Sequence, residues 1–299
     1  MNFLDNIKLT FKNGNMVIRL IYINGAVFLI FGLLSIFLHL FRLDQISFTH
    51  WFSVPSNMKD LLTHIWTPIT YMFYHERFFH ILFNMLVLFW FGKIFLMYFS
   101  EKQLLAVYVF GGLLGALLYI MAYNLLPVYT TPQADGFLPV NGSLLMGASG
   151  SIMAVILAAA VRSPNMEMQL MLVGRIKLMW IAIIIILVSV FGLRSENSGG
   201  ELAHLGGALG GYLFVTFEKK GVDITRFINS IVDFFVNIFK PRPKMKATQY
   251  NAQKMSPEEY NQKKARDVKE IDRILDKIKT SGYESLTSDE KRKLFEQKR

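Results

Sequence analysis

Six apolar runs, at about 17–40, 78–99, 103–125, 148–161, 176–193 and 202–217, set the limits on what this chain can fold into. Each measures roughly 14–24 residues, the scale fixed by a hydrocarbon core of ~30 Å. Backbone in that medium has no water to bond, so the runs are expected to be helices. Of 299 residues, 53% are apolar and 26 are Phe, which is not the make-up of an ordinary soluble domain. The expected fold class is an all-α polytopic membrane protein with a bundle of six spanning helices. Met1 to Lys12 mixes charge with Phe3, Leu4, Ile7 and Phe11 and carries no small-residue cleavage pattern, so no cleavable signal peptide is expected.

The distribution of Lys and Arg orients the bundle. Lys8, Lys12 and Arg19 lie at the first run, and Lys102 lies between the second and third. Arg162, Arg175 and Lys177 flank a turn between the fourth and fifth, and Lys219, Lys220 and Arg226 follow the sixth. The segment 126–147 has neither Lys nor Arg, and 194–201 has only Arg194. Both termini of this multi-pass protein are therefore expected in the cytoplasm.

The long loop at about 41–77 carries Trp51, Phe52, Trp66 and Tyr71 among polar residues, a composition suited to the headgroup interface. The expected organisation is a cytoplasmic N-terminal segment (1–16), the membrane domain (17–217), an interfacial amphipathic helix (218–240) and a charged helical tail (241–299). Pro241-Arg242-Pro243 marks the last boundary. In the tail, Ser256-Pro257-Glu258-Glu259 and Thr287-Ser288-Asp289-Glu290 read as capping boxes. Val268, Ile271, Ile274, Leu275 and Ile278 recur at helical spacing, and Gly282 is a stop. The tail holds 16 basic and 10 acidic residues of a chain whose net charge is +10. Its mixed charge and few aromatics argue against nucleic acid, leaving a cytoplasmic partner or the anionic membrane surface. No cysteine is present, which excludes disulfides and thiolate metal sites.

The fourth run is too short to cross. A helix from Ser149 to Val161 covers about 20 Å. With Arg162 at the cytoplasmic end, Ser149 in Gly147-Ala148-Ser149-Gly150 would open the helix below the outer surface. The backbone of Leu144–Ala148 would then be non-helical at membrane depth, which is tolerated only inside protein or along a water-filled cavity. Taken alone, Gly-Ala-Ser-Gly is also an ordinary small-residue packing motif.

His204 makes the difference. Ala203, Gly207 and Gly211 recur at every fourth position of the sixth run, as do Gly206 and Gly210. That face would let the fourth and sixth helices approach closely. A neutral imidazole is the usual base for a serine nucleophile, and an ionisable group within a membrane points to function. His80 and Asn84, four apart on one face of the second run, can both donate to a developing oxyanion together with the Ser149 N–H. His75 is expected to organise its loop through hydrogen bonds. Asp135 and Glu201 read as loop residues, so no carboxylate is expected to orient His204 and a dyad is expected.

The motifs His80-Ile-Leu-Phe-Asn84, Gly147-Ala-Ser149-Gly150 and Ala203-His204 with Gly207 and Gly211 together resemble the rhomboid family of intramembrane serine proteases. The likeness covers roughly residues 60–217. It implies a six-helix rhomboid-like core, Ser149 as nucleophile and His204 as base. It also implies His80, Asn84 and the Ser149 N–H as the oxyanion site, with Gly147, Gly150, His75, Met153 and Gly207 in support. No cofactor and no metal are implied. The substrates implied are single-pass membrane proteins within the lipid bilayer. The chain departs from many bacterial members at Thr67, where they carry Arg after Trp, and at Met153, where they carry an aromatic. The alternative is a non-catalytic relative that binds transmembrane helices for quality control. A transporter with a broken fourth helix would show inverted repeats, which the sequence lacks.

Overall fold

The computed structural model describes residues 2–43, 45–132, 136, 138–170, 174–239 and 256–296. Asp135 and the Pro241-Arg242-Pro243 break lie outside these residues. The chain divides into two compact units, Met1–Lys240 and Pro241–Arg299.

The first unit is a helical bundle. After α1 (Phe3–Asn13) come α2 (Met16–Leu40), α3 (Phe78–Leu96), α4 (Glu101–Leu125), α5 (Ser149–Arg162), α6 (Leu178–Gly192), α7 (Ser198–Glu218) and α8 (Arg226–Phe239). The starts are written locally. The Asn15 side chain accepts the Ile18 N–H at 3.2 Å to cap α2, and Ser100 forms a capping box with Gln103 at α4. Helices α2, α3 and α4 are long and apolar enough to cross a membrane, and α5 and α6 are shorter apolar helices. Leu29, Leu33, Phe37 and Leu40 of α2 face outward, whereas its Val17, Leu20 and Asn24 are buried. An apolar outer face of this kind is what a lipid environment solvates. The protein is thus a multi-spanning helical bundle.

Helix α7 forms the spine, packed chiefly on α4 and α5. The approach is backbone to backbone. A Cβ on Gly207 would fall on the Gly150 carbonyl oxygen, and one on Gly211 would fall on that of Ala154. On the α4 side, a Cβ on Gly206 would meet the Leu114 carbonyl and one on Gly115 that of Ala203. Without a hydrophobic drive between helices in lipid, such close approach supplies the dispersion contact that holds the bundle.

The segment before Ser149 is non-helical. β1 (Val54–Pro55) and β2 (Leu144–Leu145) pair antiparallel, with Val54 opposite Leu145, so the long loop is stitched to the run leading into α5. The segment between α5 and α6, expected as a simple turn, carries the antiparallel strands β3 (Glu167–Leu170) and β4 (Gly174–Lys177). Tyr71 corrects another expectation. It is not interfacial but fully buried, and its hydroxyl donates to the Gly112 carbonyl at 2.6 Å. Trp51 and Trp66 do lie together at the surface, rings stacked and the Trp66 indole donating to the Trp51 carbonyl at 2.8 Å. Thr67 is buried, its hydroxyl donating to the His64 carbonyl.

The second unit contains α9 (Pro257–Ser281) and α10 (Ser288–Glu296). Ser256 and Glu259 form the capping box at its start, and Gly282 ends α9 at φ +78. Lys277 donates to Glu290 at 2.9 Å and Lys293 to Glu270 at 2.7 Å, which closes the hairpin. Of the apolar stripe only Ile274 is fully buried, while Val268 and Leu275 are exposed. The Lys277 bond, then the Thr287 N–H, holds the Glu290 carboxyl down at about 2. Because that value lies below the ordinary 4.5, its contribution is full above about pH 4.5 and is lost as pH falls toward 2. Glu290→Gln should therefore expose the tail to trypsin severalfold faster than wild type at pH 7. An unchanged rate would mean that the hairpin does not depend on this carboxylate.

Candidate active site

The approach to Ser149 is built by constraints that converge from the long loop and α3. Gly147 has φ +108, a region that disfavours side chains, and its N–H donates to the Tyr71 carbonyl at 2.8 Å. A Cβ there would also lie 2.6 Å from Cε1 of His80. Glycine is therefore required twice over. The next N–H, that of Ala148, donates to Nε2 of His75 at 3.2 Å. Ser149 then begins α5, half-buried, at the helix end where N–H groups lack intrahelical partners and the dipole is positive.

His75 holds more than its own loop. Its Nε2 accepts from Ala148 and also from the Asn84 amide at 3.0 Å, so the ring proton sits on Nδ1, which faces the Phe73 carbonyl at 3.4 Å. Burial first, and the neighbouring His80 second, pull the His75 pKa down from 6.5 to about 4. Protonating Nε2 would set three N–H groups against one another. Folded His75 binds fewer protons than unfolded His75 between about pH 6.5 and 4, so stability is full above that window and falls with acidification through it. We expect the melting temperature of the detergent-purified protein to drop between pH 7 and pH 5. In His75→Gln, which keeps an acceptor and cannot titrate, the drop should be smaller while turnover stays measurable. An equal drop in both proteins would remove His75 as the cause.

The rings of His75 and His80 meet edge to face, 5.1 Å between centroids. Asn84 is buried, with one amide hydrogen committed to His75 and the other available. Met153 is buried in α5, one turn beyond Ser149.

His204 approaches from α7. A Cβ on Gly150 would lie 3.1 Å from the Ala203 carbonyl oxygen, so the backbones of α5 and α7 touch at these two residues. Ser149 precedes Gly150 and His204 follows Ala203, so the two residues are chain neighbours of one backbone contact between α5 and α7. Among the described residues no hydrogen bond joins them, and such bonds commonly tighten only in the substrate complex. A cavity of about 610 Å³ is lined in part by His80, Tyr119, Tyr123, Met146 and Asn197; Ser149 and His204 are not among its lining residues. Among the described residues no group of three or more His, Cys, Asp or Glu could hold a metal.

The absence of a carboxylate at His204, expected from the sequence, is overturned. Glu201 is a helical residue of α7, and its Oε2 lies 3.0 Å from His204 Nδ1. The Ser189 hydroxyl of α6 lies 3.1 Å from the same nitrogen. Neither contact was read from the sequence. The signal for Glu201 is its spacing of three from His204, hidden because 194–201 reads as a turn by propensity. For Ser189, one hydroxyl in an apolar helix, no pattern existed. Ser189 is wholly buried within α6 and so cannot meet a substrate as Ser149 can.

Comparison with known proteins follows the same residues. Residues 62–220 match the family model described as Rhomboid domain. Residues 257–297 match a second, described as a family of unknown function, DUF6576. The chain is similar to "RHOMBOID-like protein 12, mitochondrial" of Arabidopsis thaliana, 26% identical over 200 residues, covering 66% of this chain and 56% of that protein. It thus spans a little over half the length of that relative. No solved structure matches.

Proposed function

Because the chain belongs to the rhomboid family, we propose that it is an intramembrane serine endopeptidase with Ser149 as nucleophile and His204 as general base. The observation that carries this is the position of Ser149. It opens a short helix behind the pinned Gly147 turn, across the Gly150–Ala203 contact from His204.

Ser149 Oγ attacks the scissile carbonyl carbon while its proton passes to His204 Nε2. The carbonyl electron pair moves onto oxygen, which the Ser149 N–H, His80 and Asn84 stabilise. The C–N bond then breaks and His204 gives its proton to the leaving amine. Water, deprotonated by His204, opens the acyl ester and restores the serine. A helical substrate shields its carbonyls, so the segment cut must unwind. This requirement favours single-pass proteins with weak transmembrane helices, cut near a small residue.

In this reading α2 to α7 make six spans of a bacterial inner-membrane protein, with both termini in the cytoplasm; the Lys and Arg distribution supports that orientation. The cavity beside His80 opens to the outer face. Helix α8 lies in the interface, in keeping with its exposed Phe227 and the Lys102–Asp233 ion pair at 3.1 Å. The tail meets the anionic leaflet or a cytoplasmic partner.

The test is cleavage of a single-pass reporter in proteoliposomes. Wild type should release two fragments and Ser149→Ala none. Cleavage by Ser149→Ala at the wild-type rate would overturn the proposal.

A further inference from the structure

The buried contacts on the far side of His204 are not used by a two-residue mechanism. Glu201 and His204 are three apart on α7, and the Glu201 Oε2–His204 Nδ1 distance is 3.0 Å. Their side chains are only 15% and 21% exposed. The carboxylate is seated against α6. Gly192 faces it so closely that a Cβ there would lie 2.9 Å from both Cγ and Cδ of Glu201. The hydroxyl of Ser189, one turn earlier on the same face of α6, lies 3.1 Å from His204 Nδ1, the same atom that the carboxylate meets. The pair Ser189 and Gly192 thus cuts and lines a slot for one carboxylate. A surface ion pair would need no such slot.

From this geometry we infer that Glu201 is a positioning residue that, with Ser189 and Gly192, fixes His204 as the Nδ1–H tautomer and makes the Ser149–His204 pair a carboxylate-supported triad. The inference rests on the protease reading above. An ionised carboxylate only accepts, so His204 Nδ1 must carry the proton it shares. That leaves the lone pair on Nε2, the atom that takes the Ser149 proton. When the imidazolium forms, the Glu201 charge stabilises it. Among the described residues α6 presents the Ser189 hydroxyl and the Gly192 backbone to this pair.

The test uses the full chain in proteoliposomes with the single-pass reporter. Glu201→Gln keeps the shape and removes the charge. Expected are a ~10–100-fold lower kcat and a KM within about twofold, because the carboxylate acts on the imidazolium formed in the reaction and not on substrate binding. Glu201→Asp should recover part of kcat. Gly192→Ala alters no ionisable group but displaces the carboxylate, and should lower kcat in the same direction. Wild-type kcat in Glu201→Gln, with Ser149→Ala inactive, would overturn this inference alone. A loss of kcat in Glu201→Gln that Glu201→Asp does not restore in part would also overturn it, as a merely structural effect. Cleavage by Ser149→Ala would instead remove the reading on which it rests.

Discussion

Gly207→Ala is expected to lower kcat/KM about 100-fold or more and to reduce the melting temperature of the detergent-solubilised protein. The added methyl would fall on the Gly150 carbonyl oxygen, 2.8 Å from its carbon, and neither is a flexible group that can swing aside. Overpacking of this kind costs about 1–3 kcal/mol where the surroundings can yield. Here relief requires α5 and α7 to part, and Ser149 sits beside Gly150 as His204 sits beside Ala203. A displacement of about 1 Å between reacting groups is enough for a ~100-fold loss. Gly25→Ala is the control, since nothing lies within 4 Å of a Cβ there, and it should leave kcat/KM unchanged. Unaltered cleavage by Gly207→Ala would mean that the close approach does not position the reacting pair.

The second large effect is the loss of either reacting group. Ser149→Ala and His204→Ala should each cut reporter cleavage by about 10⁴-fold or more, and the double variant should be little worse than either alone. Groups that act as a unit are grossly non-additive, because removing one already idles the other. Ser149→Ala should keep the wild-type melting temperature to within a few degrees, since Ser149 makes no side-chain hydrogen bond among the described residues, whereas His204→Ala leaves Glu201 and Ser189 without their partner and should lower it. Multiplied losses in the double variant, as for independent sites, would contradict a shared proton transfer.

The helical bundle was legible because lipid imposes a length on any crossing element. The runs read at 17–40 and 103–125 emerge as α2 and α4 with ends within two residues. The pinned loop was not legible. Val54 and Leu145 pair across some 90 positions by a two-residue ladder that leaves no periodic trace. Tyr71 was misplaced because aromatic composition alone does not separate headgroup from core. Its burial depends on the Gly112 carbonyl that its hydroxyl finds on α4. Asn197-Ser198-Gly199-Gly200 reads as a loop by propensity, yet the described helix starts at Ser198. Packing overrides the local cost, as Gly199 lies against the Tyr119 ring, which a Cβ would meet at 2.8 Å. That early start puts Glu201 on the helix, facing His204. The candidate site was therefore visible as residue types, with His75 as an organiser of its loop, while the Ser189 contact belongs to tertiary structure and the Glu201 contact to a helix start that propensity hides.

The account stands on Ser149 being an activated nucleophile, and covalent labelling reads that directly. The full chain in detergent, treated with a fluorophosphonate and digested, should carry one adduct, on the peptide containing Ser149. Labelling should vanish in Ser149→Ala and fall strongly in His204→Ala. Folded wild-type protein that takes up no label, or an adduct that persists in Ser149→Ala, would contradict it.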